Sequence, residues 1–412
     1  MNIVIIHHHL NRGGVTSVIV NQLSALLNLA NRNDLEIEVA IFFGGRAEAI
    51  DSTQLDSFDL LNLRLVTIPE LEYDSRRTEF DGDEALASLI ESQLRKLGFA
   101  KEQTVLHWHN HSLGKNRSVV PLIQKLAASG YRLLLQIHDL AEDFRADNYS
   151  YITEELAKQD LSTAATFPIA NHIRYGVINR RDHDAISKAG IPKSSIVYLP
   201  NAVSKPNMIP KSVEAKRKFA ERNGLPEDVP LLIYPVRGIR RKNLGEAILL
   251  TAIAKSPICL GLTLAPQNEI ELSNYRSWKL LSEAMRLPIR FELGHESDLS
   301  FEENIAAADA ILTTSVAEGF GMVFLESFAF GKNLVGRDLA DITADFKGHG
   351  IQFEWLYSEL RIPIECVNLS EFDRALRQAI DHTYDSFDRN SSSDEYENYL
   401  HECLEIGWID FA

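Results

Sequence analysis

Glu318 and Glu326 stand eight residues apart, joined by Gly319-Phe320-Gly321-Met322 and an apolar run that ends at Leu325. Glycines let a backbone approach a ligand closely. A loop that runs into a helix N-terminus offers unpaired N–H groups and the positive end of a dipole, which suits phosphate. Two carboxylates, one on the loop and one on the helix after it, suit the hydroxyls of a polyol. A sugar nucleotide has all of these parts. Glu326 is flanked by Val323, Phe324, Leu325, Phe328 and Phe330. A carboxylate buried among apolar neighbours needs a partner, and a ribose diol would serve.

A second constellation is cationic. Arg237, Arg240, Arg241 and Lys242 fall within six positions of an otherwise acidic chain, directly after the apolar run Leu231–Tyr234. Charge runs are usually solvated turns, but four cations at a strand's carboxyl end fit a diphosphate, whose charge must be neutralised as a bond to it breaks. A third segment, Asn11-Arg12-Gly13-Gly14-Val15-Thr16, sets paired glycines between a first strand and a first helix. It reads equally as a tight turn or as a ligand-facing loop. The chain has no GxGxxG fingerprint and no GxxxxGK[ST].

Histidines gather at three strand ends: His7-His8-His9, then His107, His109 and His111, then His138-Asp139. Such grouping raises zinc. The residues alternate along strands or sit in turns, carboxylates that would complete a site are distant, and no HExxH occurs. The expectation is therefore no metal, with His109, His111 and His138 lining a cleft. Lys115-Asn116-Arg117 and Arg145 would suit an acidic ligand, such as a phosphorylated or carboxylated small molecule.

These groups need elements that hold them. Strands are expected at Asn2–His7, Glu36–Phe43, Thr104–Trp108, Tyr131–Ile137, Thr166–Ala170 and Ser195–Leu199. A second series is expected at Leu231–Tyr234, Cys259–Ala265, Ile289–Glu292, Ala310–Thr314 and Asn333–Gly336. Helical patterns fall between them, as in Val15–Asn28, Glu84–Leu97, Val119–Ala128 and Leu244–Ala254. Alternation of this kind predicts parallel sheets covered on both faces, with ligands at the carboxyl ends of strands. Prolines and polar residues gather from Leu199 to Pro206, so a boundary is placed near residue 205, giving domains over 1–205 and 206–389. Ser392 and Glu395 fit a capping box for a final helix, Asp394–Glu405, with 390–412 expected to join the first domain.

At 412 residues two domains are the natural expectation. A formal net charge of −16 argues against nucleic acid or an anionic membrane surface as partner. Cys259, Cys366 and Cys403 match no disulfide or metal spacing, which fits a cytoplasmic protein. Met1-Asn-Ile-Val-Ile-Ile reads as a buried strand and not a signal peptide. The apolar stretch Ala247–Pro266 is broken by Lys255, Ser256 and Pro257, so it reads as a buried helix and strand and not as a membrane span.

In register, these segments resemble the retaining glycosyltransferases of family 4, which have the GT-B fold of two doubly wound Rossmann-like domains with an interdomain cleft. Gly13-Gly14 resembles that family's acceptor-side loop, Ile137-His138-Asp139 its histidine strand end, and Tyr198-Leu-Pro-Asn-Ala-Val203 its interdomain element, with Ala202 in place of a glycine. Arg237 and Lys242 match its phosphate-binding pair, and Glu318 with Glu326 its E-x7-E signature. The resemblance implies a hexose passing from a nucleotide sugar to a soluble small-molecule or saccharide acceptor without metal or other cofactor. Arg237, Lys242, Glu318 and His138 would be catalytic. Glu326, Gly319, Phe320, Gly321, Met322 and Arg241 would hold the donor, and Gly13, Gly14, His109, Lys115 and Arg145 would face the acceptor. The acceptor would attack from the face of the departing diphosphate, which takes its proton; this accounts for the lack of an evident protein nucleophile. Departures are Pro235-Val236 before Arg237, and Asn333-Leu-Val-Gly-Arg337-Asp338 after Lys332. Alternatives on the same architecture are a sugar phosphorylase, a nucleotide-sugar epimerase and a non-catalytic sugar-nucleotide sensor; a two-domain dehydrogenase lacks its glycine fingerprint here.

Overall fold

In the computed structural model, residues 1–48, 58–77, 83–143, 145–203, 209–267, 269–295, 299–390 and 393–412 are described. The chain divides into two compact units. One is Met1–Ala202 with Leu376–Ser392, the other Val203–Ala375 with Ser393–Ala412.

The first unit is built on strands β1 (Asn2–Ile6), β2 (Glu38–Phe43), β3 (Arg64–Thr67), β4 (Thr104–His109), β5 (Arg132–Ile137), β6 (Ile173–Val177) and β7 (Ile196–Tyr198). Their order is β3-β2-β1-β4-β5-β6-β7, and every pairing is parallel. All five residues of β1 are buried, as the unbroken run Ile3-Val-Ile-Ile demands of a strand covered on both faces. Side chains alternate between two cores. Ile6, Phe42, Trp108 and Leu135 pack with Leu122 and Ile123 of the helix Val119–Ala128. Ile5 and Ile41 pack with Ile19 and Leu23 of the helix Gly14–Asn33.

The second unit holds β8 (Leu231–Arg237), β9 (Cys259–Leu264), β10 (Ile289–Arg290), β11 (Ala310–Thr313), β12 (Asn333–Arg337) and β13 (Trp355–Tyr357), in the order β10-β9-β8-β11-β12-β13, again parallel throughout. A separate antiparallel pair joins β14 (Arg361–Pro363) to β15 (Trp408–Asp410).

Some elements differ from the sequence expectation. Thr166–Ala170 is not a strand: Thr163–Thr166 is a short 3-10 turn and the strand is β6. Pro168 has no N–H to give a ladder, whereas Ile173-Arg-Tyr-Gly-Val pairs residue for residue with Leu133–Ile137. β3, β13, β14 and β15 are only three or four residues long, too short to have a readable period. The C-terminal segment also differs. Arg361 pairs with Asp410 across the β14–β15 ladder, so Ser393–Ala412 belongs to the second unit, and Leu376–Ser392 is the part that returns to the first. The helix itself runs Ser393–Ile406. The proposed cap residue Ser392 and the Glu395 side chain lie outside the described residues, as does residue 205 at the expected domain boundary. Among the described residues no helix is long and apolar enough to cross a membrane.

Candidate functional site

In the second unit the strand order reverses between β8 and β11, a topological switch point where ligands of doubly wound sheets bind. Both sequence motifs follow these two strands. After β8 a short 3-10 turn, Arg240–Lys242, ends at Asn243, which adopts the left-handed conformation (φ 47°) and leads into the helix Leu244–Ile253. After β11 the chain passes Glu318 and enters the helix Met322–Ala329.

Five hydrogen bonds fasten the basic turn to β8 and to the end of β11. The Tyr234 hydroxyl donates to the Lys242 carbonyl at 3.0 Å and hydrogen-bonds the Ser315 hydroxyl at 2.8 Å. Thr314 Oγ1 donates to the carbonyls of Lys242 (3.1 Å) and Asn243 (3.0 Å). The Val316 N–H donates to the Arg241 carbonyl at 2.9 Å. So braced, the Lys242 ammonium donates to Glu318 Oε1 in an ion pair whose side chains are only 13% and 8% exposed. Burial pushes the Glu318 carboxyl up, but the Lys242 and Arg241 charges, with hydrogen bonds from Lys242 and Ser315, outweigh it and hold the group below its ordinary value. Glu318 is thus ionised near pH 7, a hydrogen-bond acceptor and not a proton donor. Arg237 donates to the Ala265 carbonyl at 3.0 Å, and burial pushes its guanidinium down.

Glu326 lies in the helix Met322–Ala329, half-buried, where burial pushes its carboxyl up and the Lys242 charge only partly opposes this. Pro235, Ile311 and Phe330 line a small pocket beside it. The helix begins at Gly321 (φ 76°), which gives no side-chain cap to the first-turn amides. Phe320 is 6% exposed and packs edge-on against Phe346, so its side chain is core, and only its backbone is available to a ligand. Gly321 is fixed doubly: an added Cβ would come within 2.5 Å of Phe324, in a backbone conformation that favours glycine. Gly321→Ala is expected to cost about 2–4 kcal/mol, from left-handed strain plus overpacking. A urea-unfolding midpoint equal to the parent's would refute this.

In the first unit the order reverses between β1 and β4. The Gly13-Gly14 loop follows β1, and the His109–His111 turn follows β4. His109 Nδ1 lies 2.8 Å from His138 Nε2, their rings stacked at 5.1 Å, and His107 stacks on His109 at 4.3 Å. His107 Nε2 meets Gln136 Oε1 at 2.8 Å, and His111 Nε2 meets the Thr166 carbonyl at 3.0 Å. Asn110 Oδ1 accepts from the His138 and Asp139 amides at 2.7 and 3.1 Å, closing the end of β5 over β4. These histidines do not line open surface: His109, His111 and His138 are 0%, 2% and 5% exposed. Burial pushes His107, His111 and His138 down to about 4, and His109 further, so all are neutral near pH 7. Among the described residues no group of three or more His, Cys, Asp or Glu is arranged to hold a metal ion.

Gly13 and Gly14 are exposed, Gly13 has extended backbone (φ 171°), and a Cβ would meet nothing closer than 3.9 Å at Gly13 and nothing within 4 Å at Gly14. Neither packing nor conformation requires glycine there, which leaves room over the loop. Arg145 pairs with Asp139 at 2.8 Å. Burial and the nearby Arg145 charge push the Lys115 ammonium down, with Asp147 opposing. Sequence reasoning missed the brace of Tyr234, Thr314 and Ser315. It also missed Glu72, 7% exposed, which takes both Arg46 Nε (2.5 Å) and Arg46 Nη2 (2.6 Å) beside Tyr73. Nothing in the local pattern marks those residues, because their partners are distant in sequence.

No protein-family profile matches the chain. Mannosylglucosyl-3-phosphoglycerate synthase of Petrotoga mobilis is 30% identical over 359 residues, covering 84% of this chain and 66% of that protein, so the chain spans just under two thirds of the relative's length. Among solved structures, Anabaena HepE in complex with UDP and glucose superposes with a TM-score of 0.59 at 15% identity, over 98% of this chain and 99% of that one. Sucrose-phosphate synthase of Thermosynechococcus elongatus gives 0.54 at 17% identity, over 81% and 80%. The catalytic domain of Arabidopsis thaliana starch synthase IV, bound to ADP and acarbose, gives 0.55 at 13%, over 100% and 95%. Two parallel-sheet α/β units, each with its candidate residues after the strands of its switch point, and a likeness that runs through both, give the chain the GT-B fold of these glycosyltransferase structures.

Proposed function

We propose that the chain moves a hexose from a nucleotide-sugar donor, held by the second unit, to a hydroxyl of a small anionic acceptor recognised by the first, with retention of anomeric configuration. The observation that carries this reading is the buried Lys242–Glu318 pair at the switch point of β8 and β11, with Arg241 in the same turn as Lys242 and Arg237 at the end of β8. Arg237 and Lys242 stabilise the negative charge that grows on the diphosphate as its bond to the anomeric carbon breaks. The acceptor oxygen bonds that carbon from the same face, and its proton passes to the departing phosphate. Glu318, kept ionised, accepts hydrogen bonds from donor-sugar hydroxyls, and Glu326 accepts from the ribose. No step calls on a metal, because the side-chain cations supply the charge.

The similarity to the Petrotoga synthase, whose product name combines mannosyl and glucosyl groups with phosphoglycerate, supports a mannosyl donor and an acceptor bearing phosphate and carboxylate. The Lys115 neighbourhood supports it too: burial and the nearby Arg145 charge push the Lys115 ammonium down, and a bound anion would oppose both.

A thermal-shift panel of UDP-, GDP- and ADP-sugars run with EDTA, then product analysis with phosphoglycerate-bearing acceptors and NMR of the new anomeric centre, tests the reading. Stabilisation by none of the donors, or an inverted product, overturns it. Turnover of a disaccharide with inorganic phosphate alone would assign a phosphorylase instead. Glu326→Ala is expected to weaken nucleotide binding about tenfold, the loss of a hydrogen bond or two to a charged acceptor. Unchanged affinity by calorimetry removes Glu326 from the ribose site.

A further inference from the structure

Arg337, the residue that departs from the family pattern at the end of β12, is 4% exposed and lies between two carboxylates. It donates to Glu246 through Nε (3.0 and 3.1 Å) and Nη2 (2.8 Å), and to Asp410 through Nη1 and Nη2, both at 2.8 Å. Nη1 also donates to the Ser358 carbonyl at 3.2 Å. Glu246 has no exposed surface and takes two further bonds, from Tyr357 Oη at 2.5 Å and from Asn243 Nδ2 at 2.7 Å. Asp410 in turn accepts from the Leu360 amide at 2.9 Å.

Asn243 connects this network to the donor turn. It follows Lys242 directly, closes the turn with its N–H on the Arg240 carbonyl at 2.9 Å, and holds the left-handed conformation from which the next helix starts. A hydrogen-bonded path thus runs from Asp410 through Arg337, Glu246 and Asn243 to the backbone of Lys242. Buried ion networks are poor sources of stability compared with apolar packing. A fully partnered one, set against the end of the turn that carries the catalytic cation, fits a role in geometry.

We propose that Arg337 and Asp410 are positioning residues: through Glu246 and Asn243 they set the Lys242 turn for the donor diphosphate without touching it, which makes the strand β15 part of the donor-binding apparatus. This rests on the reading of the second unit as the donor site.

The test is calorimetry with UDP, GDP and ADP, well below every variant's Tm, on the full chain and on Asp410→Asn, Tyr357→Phe and, as a control remote from the network, Ile289→Ala. The expected result is a nucleotide that binds the parent chain, binds both network variants about 3–30-fold more weakly, and binds Ile289→Ala as it does the parent although that variant's Tm is lower. Network variants that lose Tm but keep parental affinity overturn the proposal and leave the donor-site reading intact. A parent chain that binds none of the three nucleotides overturns both. Tyr357→Phe removes a hydroxyl and no charge, so the comparison survives if Asp410→Asn fails to fold.

Discussion

Lys242→Ala is expected to lower turnover about 10²–10³-fold, the range for removing one preorganised donor from a developing negative charge. The same substitution is expected to destabilise the second unit by about 3–5 kcal/mol, because it strands a carboxylate that is 8% exposed. Glu318 is below its ordinary value because the Lys242 and Arg241 charges, with hydrogen bonds from Lys242 and Ser315, outweigh its burial. With Lys242 gone, its carboxyl rises. The two effects separate in a double variant. Lys242→Ala with Glu318→Gln should recover most of the lost stability, since neither charge is left unpaired, and none of the lost turnover. Recovery of both would mean that the pair is structural. Parental turnover in Lys242→Ala alone would remove that lysine from the chemistry.

Acid is expected to unfold the first unit well before its carboxylates are protonated. His107, His111 and His138 are held down to about 4 by burial, against an ordinary value of 6.5. Above 6.5 both folded and unfolded chains carry neutral imidazoles, and pH has no effect through these groups. Between 6.5 and 4 the unfolded chain takes up protons that the folded one refuses, so stability falls as pH falls. Each group contributes about 3 kcal/mol across that window, and the three together about 10 kcal/mol, which is comparable to the whole stability of a domain. His7 and His109, pushed lower still, act in the same direction. Urea midpoints measured from pH 7 to pH 5 should drop steeply, with the drop reported by Trp108, which is buried in this unit. A flat profile over that range would mean that the imidazoles are hydrated.

Much of the second unit's candidate site was legible because its motifs are local. Arg237 to Lys242 and Glu318 to Glu326 are each one strand-to-helix connection, so composition and spacing announce them. Phe320 shows the limit of that reading. It lies inside the motif, yet its side chain turns into the core against Phe346. On the other side the histidines were seen as a group, but the burial of their side chains was not. Alternation along β4 says that His107 and His109 share a face, not that the face is closed off. The loop Gly13-Gly14 was balanced between a tight turn and a ligand loop. Its exposed backbone, with space for a Cβ at both glycines, is compatible with either.

By itself the sequence determined the alternation of apolar strands and amphipathic helices, hence two parallel sheets, and the placing of chemically capable residues just after strands. Both follow from short-range physics, the period of burial along a segment and the backbone demands of a turn. Only the tertiary structure decided which groups meet. Lys242 reaches Glu318 across 76 residues, and Arg337 reaches Asp410 across 73. It also decided that Ser393–Ala412 pairs into the second unit, through three residues too few to carry a period. Protonation was decided there as well. Whether an imidazole or a carboxyl keeps its ordinary value depends on how much water and which charges surround it, and those neighbours come from strands and loops that only the folded sheet brings together.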